Sequence, residues 1–238
     1  MLLMTMNWWT RLLDIISPRQ CVVCGRRLMP SERSLCTVCL LHLPRTNYHL
    51  NAYDNAMNRL FWGLERVERA AAYFHYEPHS EVARLVYALK YRQRPDIGED
   101  MGRLMARELA PSGFFDGIDV LFPVPLARKR LRQRGYNQSE MLARGISEVT
   151  HLPIAVDVLR RERFEQSQTA LGRRERQENV EGVFVQKQTI RLNGRHVLLV
   201  DDICTTGATL LACIKALKDV ENLQISVLTL GLTKKSDK

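Results

Sequence analysis

The stretch that decides the fold is "HVLLVDDICTTGATLL", residues 196–211. Four apolar residues, Val197 to Val200, run into two adjacent carboxylates, Asp201 and Asp202, and then into a threonine-rich loop around Gly207. A short apolar run of this kind reads as a buried strand of a parallel sheet. Ligands of such sheets sit beyond the carboxyl ends of the strands. Asp201 and Asp202 are therefore expected at the strand end, facing a ligand crevice. The loop of Thr205, Thr206, Gly207, Ala208 and Thr209 leads into a helix expected to begin near Thr206. Free backbone N–H groups and the helix dipole favour an anion there, and glycine allows close backbone approach. A phosphate beside two carboxylates is contradictory until a sugar lies between them, because carboxylates only accept hydrogen bonds and suit a vicinal diol. The stretch describes a ribose 5-phosphate site. A surface turn that caps a helix is the bland account, and the two adjacent acids followed by a hydroxyl-rich loop weigh against it.

Outward from this stretch the chain alternates strands and helices. "VERAAAYFHY" (67–76) reads as a strand. Ser80 is suited to cap a helix that carries Val82, Leu85, Val86 and Leu89 on one face. A helix in "IGEDMGRLMAREL", a strand in "IDVLFPV", a helix in "NQSEMLARGISEV" and a strand near "IAVDVL" follow. "LQISVLTLGL" is a last apolar strand. The alternation predicts an α/β fold with a mostly parallel sheet covered by helices on both faces. The basic segment 162–180 lacks apolar periodicity and is expected to be a long loop.

The 238 residues are 45% hydrophobic and 26% charged, ordinary for a globular protein. No apolar run approaches the roughly 20 residues that cross a bilayer. Arg11 and Asp14 interrupt the apolar N-terminus, so a signal peptide is not expected and a cytoplasmic location is. The net charge of +9 favours anionic partners. Five basic residues fall between Leu126 and Glu140, and six between Arg160 and Arg176. Taken alone, such runs read as solvated faces.

Cys21-x-x-Cys24 and Cys36-x-x-Cys39, eleven residues apart, match a four-thiolate structural Zn²⁺ site. Sulfur at all four positions leaves none open for chemistry. Cys204 and Cys213 read as packing residues. Trp8 and Trp9, with Leu12, Leu13 and Ile16 at helical spacing, form an amphipathic stripe. The domains expected are residues 1–50 as amphipathic helix and zinc ribbon, 51–66 as connector and 67–238 as the main domain. The chain has neither G-x-x-x-x-G-K-[ST] nor G-x-G-x-x-G, and its six histidines show no H-E-x-x-H spacing.

Residues 197–209, "VLLVDDICTTGAT", closely resemble the signature of the type I phosphoribosyltransferases, which use phosphoribosyl pyrophosphate (PRPP). The resemblance implies that Asp201 and Asp202 bind the ribose hydroxyls and that Thr205 to Thr209 bind the 5-phosphate, with Mg²⁺ accompanying the substrate. It implies a pyrophosphate loop around Pro125, Leu126 and Arg128, with Arg134 also contacting PRPP. It makes Arg173 and Arg174, within 162–180, part of a catalytic loop that closes over the substrate.

A four-cysteine ribbon ahead of such a domain is similar to the ComF/GntX family, associated with DNA uptake and competence. "CVVCGRRL", "YALKYRQRPDIG", "VPLARKRLRQRGYNQSEMLA" and "RFEQSQTALGRRERQENVEGVF" carry that resemblance. The implied function is transfer of a phosphoribosyl group to an unidentified nitrogen acceptor. The alternative is a non-catalytic PRPP sensor, or a module that binds single-stranded DNA or a DNA-uptake protein, with basic residues near Tyr136 contacting the strand. Only "TKKSDK" follows the last strand, so the cysteine module and residues 40–66 are expected to cover the site instead of a C-terminal hood.

Overall fold

The computed structural model describes residues 18–156, 158–161, 184–186 and 192–234. The tryptophan stripe and the segment carrying Arg173 and Arg174 lie outside the described residues. The chain divides into two compact units, Met1–Leu43 and Pro44–Lys238.

In the first unit, two tight turns and helix α1 (Thr37–His42) gather the four cysteines. Glu32, nearly buried, fastens the unit. Its carboxylate accepts from the N–H of Met29 (2.8 Å) and of Thr37 (2.7 Å) and pairs with Arg26 at 2.8 Å. Those backbone donors pull its pKa down to about 2.

The second unit is built on a four-stranded, all-parallel sheet in the order β1-β6-β5-β2. Its strands are β1 (Ala70–Tyr76), β2 (Val120–Pro123), β5 (His196–Cys204) and β6 (Gln224–Thr233). Val197 to Val200 of β5 are wholly buried, as are Val227, Leu228 and Leu230 of β6. Each such side chain stabilises the fold by roughly 1.5–3 kcal/mol. The apolar runs are continuous because both faces of the sheet are covered.

Helix α2 (Glu81–Tyr91) is capped by Ser80, whose Oγ accepts from the Ala83 N–H, and it buries Val82, Leu85, Val86 and Leu89 as its periodicity predicts. Helix α3 (Pro95–Leu109) packs closely on α5 (Gln138–Thr150). Gly145 makes that approach possible, since an added Cβ would fall 2.0 Å from the carbonyl oxygen of Glu99. Between them in sequence comes a short basic helix, α4 (Arg128–Arg134), which starts where the loop expected around Pro125 to Arg128 ends. Helix α6 (Ala208–Ala216) follows the threonine loop.

Two expectations shift. The apolar run "IAVDVL" is not one strand: Ile154 only bridges to Leu121, and β3 (Leu159–Arg161) pairs antiparallel with β4 (Phe184–Gln186) in a separate ribbon. The run is divided between two sheets. The strand of the opening motif does not end at the acids either. It continues to Cys204 because β6 runs on beside it, pairing Asp201 with Thr229, Ile203 with Gly231 and Cys204 with Leu232. The helix after it begins at Ala208, not Thr206.

Candidate functional site

Asp201 and Asp202 lie near the carboxyl end of β5, and pleating sends successive side chains to opposite faces. Each therefore meets a different neighbour. The Ser139 hydroxyl, on the first turn of α5, donates to Asp201 Oδ1 at 2.9 Å, and the Asp202 N–H donates to the same oxygen at 2.8 Å. Asp202 Oδ2 pairs with Lys90 Nζ at 2.9 Å, and its Oδ1 accepts from the Ile203 N–H at 2.6 Å. Burial, and then the Asp202 charge, push the Asp201 pKa up to about 7, against the hydrogen bonds and Lys90.

Residues 205–209 form the turn from β5 into α6. Thr205 and Thr206 are exposed, Gly207 is buried, and Ala208 and Thr209 are half-buried. Gly207 takes φ +80°, a left-handed conformation that favours glycine, and is the N-cap of α6. The backbone turns there with N–H groups of the first helical turn unpaired within the helix. A Cβ at Gly207 would stand 3.5 Å from Leu60 and 3.6 Å from Phe61, so these two side chains lie against the loop.

The segment expected to hold pyrophosphate leaves β2 beside these acids. Pro123 pairs with Val200, and the Val124 N–H donates to the Val200 carbonyl at 2.9 Å. Pro125 and Leu126 are half-buried and Arg128 is exposed at the start of α4. Arg134, at the other end of α4, donates to Gln138 Oε1 at 2.7 Å and stands over the Tyr91 ring at 5.3 Å. Arg130 and Arg134, one helical turn apart, join Lys90, Tyr91, Gln93 and Gln133 around a cavity of about 560 Å³.

The "RGYNQS" stretch, residues 134–139, is largely a brace. Asn137 caps α5 and donates to the Val124 carbonyl at 3.0 Å. The Tyr136 hydroxyl is directed to the Leu89 carbonyl. Tyr136 is half-buried, so it offers little surface for a strand of DNA.

Three groups at this site escape the sequence reading as individual residues. Lys90 and Ser139 come from helices distant in sequence. Arg161, at the end of β3, has its pKa lowered by burial and by Arg130, against the pull of Cys213 and Asp201, and its guanidinium stands over the Phe184 ring at 5.5 Å. Lys90 and Ser139 fall within the quoted "YALKYRQRPDIG" and "RGYNQSEMLA" stretches, the only signal they give.

In the first unit, the sulfur atoms of Cys21, Cys24, Cys36 and Cys39 all lie within 4.8 Å of one another, with Cys24 and Cys36 at 3.8 Å. Sulfurs bonded to one zinc ion at about 2.3 Å stand roughly 3.8 Å apart in a tetrahedron. The cluster fits a metal of that size. Cys204 and Cys213 are buried within the second unit, and burial raises the Cys204 thiol to about 12. Among the described residues no helix is long and apolar enough to cross a membrane.

The phosphoribosyl transferase domain family matches residues 136–237. The DNA utilization protein YhgH of Escherichia coli O157:H7 is 29% identical over 192 residues, 79% of each chain. Competence protein F of Haemophilus influenzae is 26% identical over 221 residues, 87% of this chain and 94% of that one. Among solved structures, the glutamine phosphoribosylpyrophosphate amidotransferase of B. subtilis aligns with a TM-score of 0.41 at 20% identity, over 60% of this chain and 30% of that one. With the parallel sheet, the paired acids and the threonine loop in place, and a four-cysteine cluster ahead of them in sequence, the chain has the type I phosphoribosyltransferase fold, carries a phosphoribosyl transferase domain over residues 136–237, and is similar to DNA utilization and competence proteins.

Proposed function

We propose that the carboxyl end of β5 binds PRPP with Mg²⁺ and that the protein transfers the phosphoribosyl group to a nitrogen acceptor in the handling of DNA during uptake. The observation that carries this reading is the continuity of Asp201–Asp202 with the Gly207 turn. Acceptors for a vicinal diol and the N-cap of a phosphate-binding helix start are separated by four residues, 203–206, of one chain segment. Positive charge develops on the ribose as pyrophosphate leaves, and two carboxylates are placed to stabilise it. Arg128 and the Pro125–Leu126 turn receive the pyrophosphate, and Arg173 and Arg174 close over it. The acids would hold the Mg²⁺ through water and the ribose hydroxyls, and the metal would neutralise the diphosphate. The names of the relatives, DNA utilization and competence, support the link to DNA. The four thiolates are assigned to a structural zinc.

Calorimetry with PRPP and Mg²⁺ tests the reading. Binding that is lost in Asp201→Asn and Asp202→Asn supports it, and no binding to the wild-type protein refutes it. Pyrophosphate release on addition of acceptors then separates a transferase from a sensor.

A second reading, contact with single-stranded DNA, is favoured by one observation. Tyr87 and Tyr91 are exposed and in contact, ring centroids 5.0 Å apart and tilted by 40°, and Arg134 of the basic helix α4 stands over the Tyr91 ring. Aromatic faces next to cations suit unpaired bases and their phosphates.

A further inference from the structure

Lys90 belongs at once to two places. Its ammonium pairs with Asp202 at 2.9 Å, both side chains being largely buried at 21% and 14% exposure. It also lines the cavity shared with Tyr91, Gln93, Arg130, Gln133 and Arg134. Among the described residues no carboxylate lines that cavity. Among those residues its three cations have one anionic partner, Asp202, and that partner is a residue assigned to the ribose diol. Arg134 bonds a neutral amide. The cavity is therefore an electropositive space of a size that admits a small polyanion, joined to the acids by one flexible side chain. Lysine suits such a position: its charge is a compact point on a four-carbon stem, with no fixed fork geometry to lose when it moves.

We propose that Lys90 is a positioning residue that couples the two halves of the site. In the empty protein it holds Asp202. A pyrophosphoryl group received at the Pro125–Leu126 turn and Arg128 extends into the cation-lined cavity and draws the ammonium off Asp202, which frees that carboxylate for the ribose hydroxyls. The proposal rests on the PRPP reading. It adds that binding of the two ends of PRPP is cooperative, and that Asp202 is blocked until the diphosphate arrives. A lysine that merely braces the fold would lack this cooperativity.

The experiment is calorimetry on the full chain in Mg²⁺ buffer, with inorganic pyrophosphate and ribose 5-phosphate as probes, each alone and then together. In the wild-type protein, saturating pyrophosphate is expected to tighten ribose 5-phosphate by roughly tenfold, within the usual range of site-to-site coupling. In Lys90→Met the factor falls to about one, while ribose 5-phosphate alone binds at least as tightly as to the wild type, and Lys90→Arg keeps part of the coupling. Coupling that persists in Lys90→Met overturns the proposal, as does wild-type binding of both probes without coupling. If PRPP and both probes fail to bind the wild type, the PRPP reading falls, and this proposal with it. Should the variants not fold, ¹⁵N-lysine NMR of the wild type decides. A Lys90 ammonium signal that shifts on pyrophosphate addition but not on sulfate addition supports the exchange, and an unmoved signal refutes it.

Discussion

The Ser139 hydroxyl donates to Asp201 Oδ1 at 2.9 Å, which ties the first turn of α5 to the strand that carries both acids. Ser139 is itself buried. Removing it leaves Asp201 Oδ1 with the Asp202 N–H but without its side-chain donor, at a cost of about 1–3 kcal/mol in the ionised form. Ser139→Ala is therefore expected to raise the Asp201 pKa further and to weaken PRPP binding several-fold at pH 7, less at pH 9. Titration by calorimetry at both values checks this, and equal losses at the two values would disconnect Ser139 from the ionisation.

The Asp201 carboxyl gives a pH dependence with a definite sign. Its folded pKa is raised to about 7, chiefly by burial and then by Asp202, from an ordinary value of 3.8. Between those values the folded protein holds a proton that the unfolded chain has released, so stability falls as pH rises from about 4 to 7. Asp201→Asn removes this cost. It is expected to stabilise the ligand-free protein at pH 8 by a few kcal/mol and to change it little at pH 4, while abolishing PRPP binding. Thermal melts at both values measure it. Equal shifts at pH 4 and pH 8 would show that Asp201 does not titrate in this range.

At Gly207 the strain is conformational, not steric. A Cβ would meet Leu60 and Phe61 at ordinary contact distances, but φ is +80°. Gly207→Ala is expected to cost about 1–2 kcal/mol, lowering the melting temperature by a few degrees. It should weaken ribose 5-phosphate roughly tenfold, because the N–H groups of the turn no longer converge. A melt and a binding isotherm check the two effects together, and an unaffected isotherm would place the phosphate elsewhere.

Much of this arrangement is legible in the sequence because it is local. The Val197–Val200 run, the Ser80 cap and the cysteine spacing each act within a few residues, and each appears in the structure as its chemistry predicts. Lys90 and Ser139 are not legible as site residues, since nothing near them in sequence marks a partner that lies more than sixty residues away. Helix α4 escapes because its residues are nearly all charged or polar and exposed, leaving no apolar period to read. The acids seem isolated like charges in sequence, and the counter-charge that makes them tolerable comes from another helix.

Zinc content tests the first unit. One zinc per chain by mass spectrometry of metals is expected, falling to none in Cys36→Ser. Glu32 holds the N–H groups of Met29 and Thr37 beside that cluster, so Glu32→Ala should speed zinc loss to a chelator at pH 7 without changing the stoichiometry. A wild-type chain that carries no zinc after purification under reducing conditions, and takes up none, would remove the assignment.

Tyr87 and Tyr91 test the link to single-stranded DNA. Base stacking on an aromatic side chain contributes about 1–3 kcal/mol per base, so Tyr87→Ala and Tyr91→Ala are each expected to weaken an oligothymidine roughly tenfold. Tyr136→Phe should do little, since that hydroxyl is directed to the Leu89 carbonyl. The exposed cations of α4 add phosphate contacts, each steepening the dependence of affinity on salt by about 0.7 in a log–log plot. Removing Arg130 and Arg132 together should flatten the slope by about 1.4 on the same basis. Fluorescence anisotropy across a salt series measures both effects. A wild-type slope near zero would mean that no phosphates are contacted, and binding insensitive to both tyrosines would move any DNA contact away from this face.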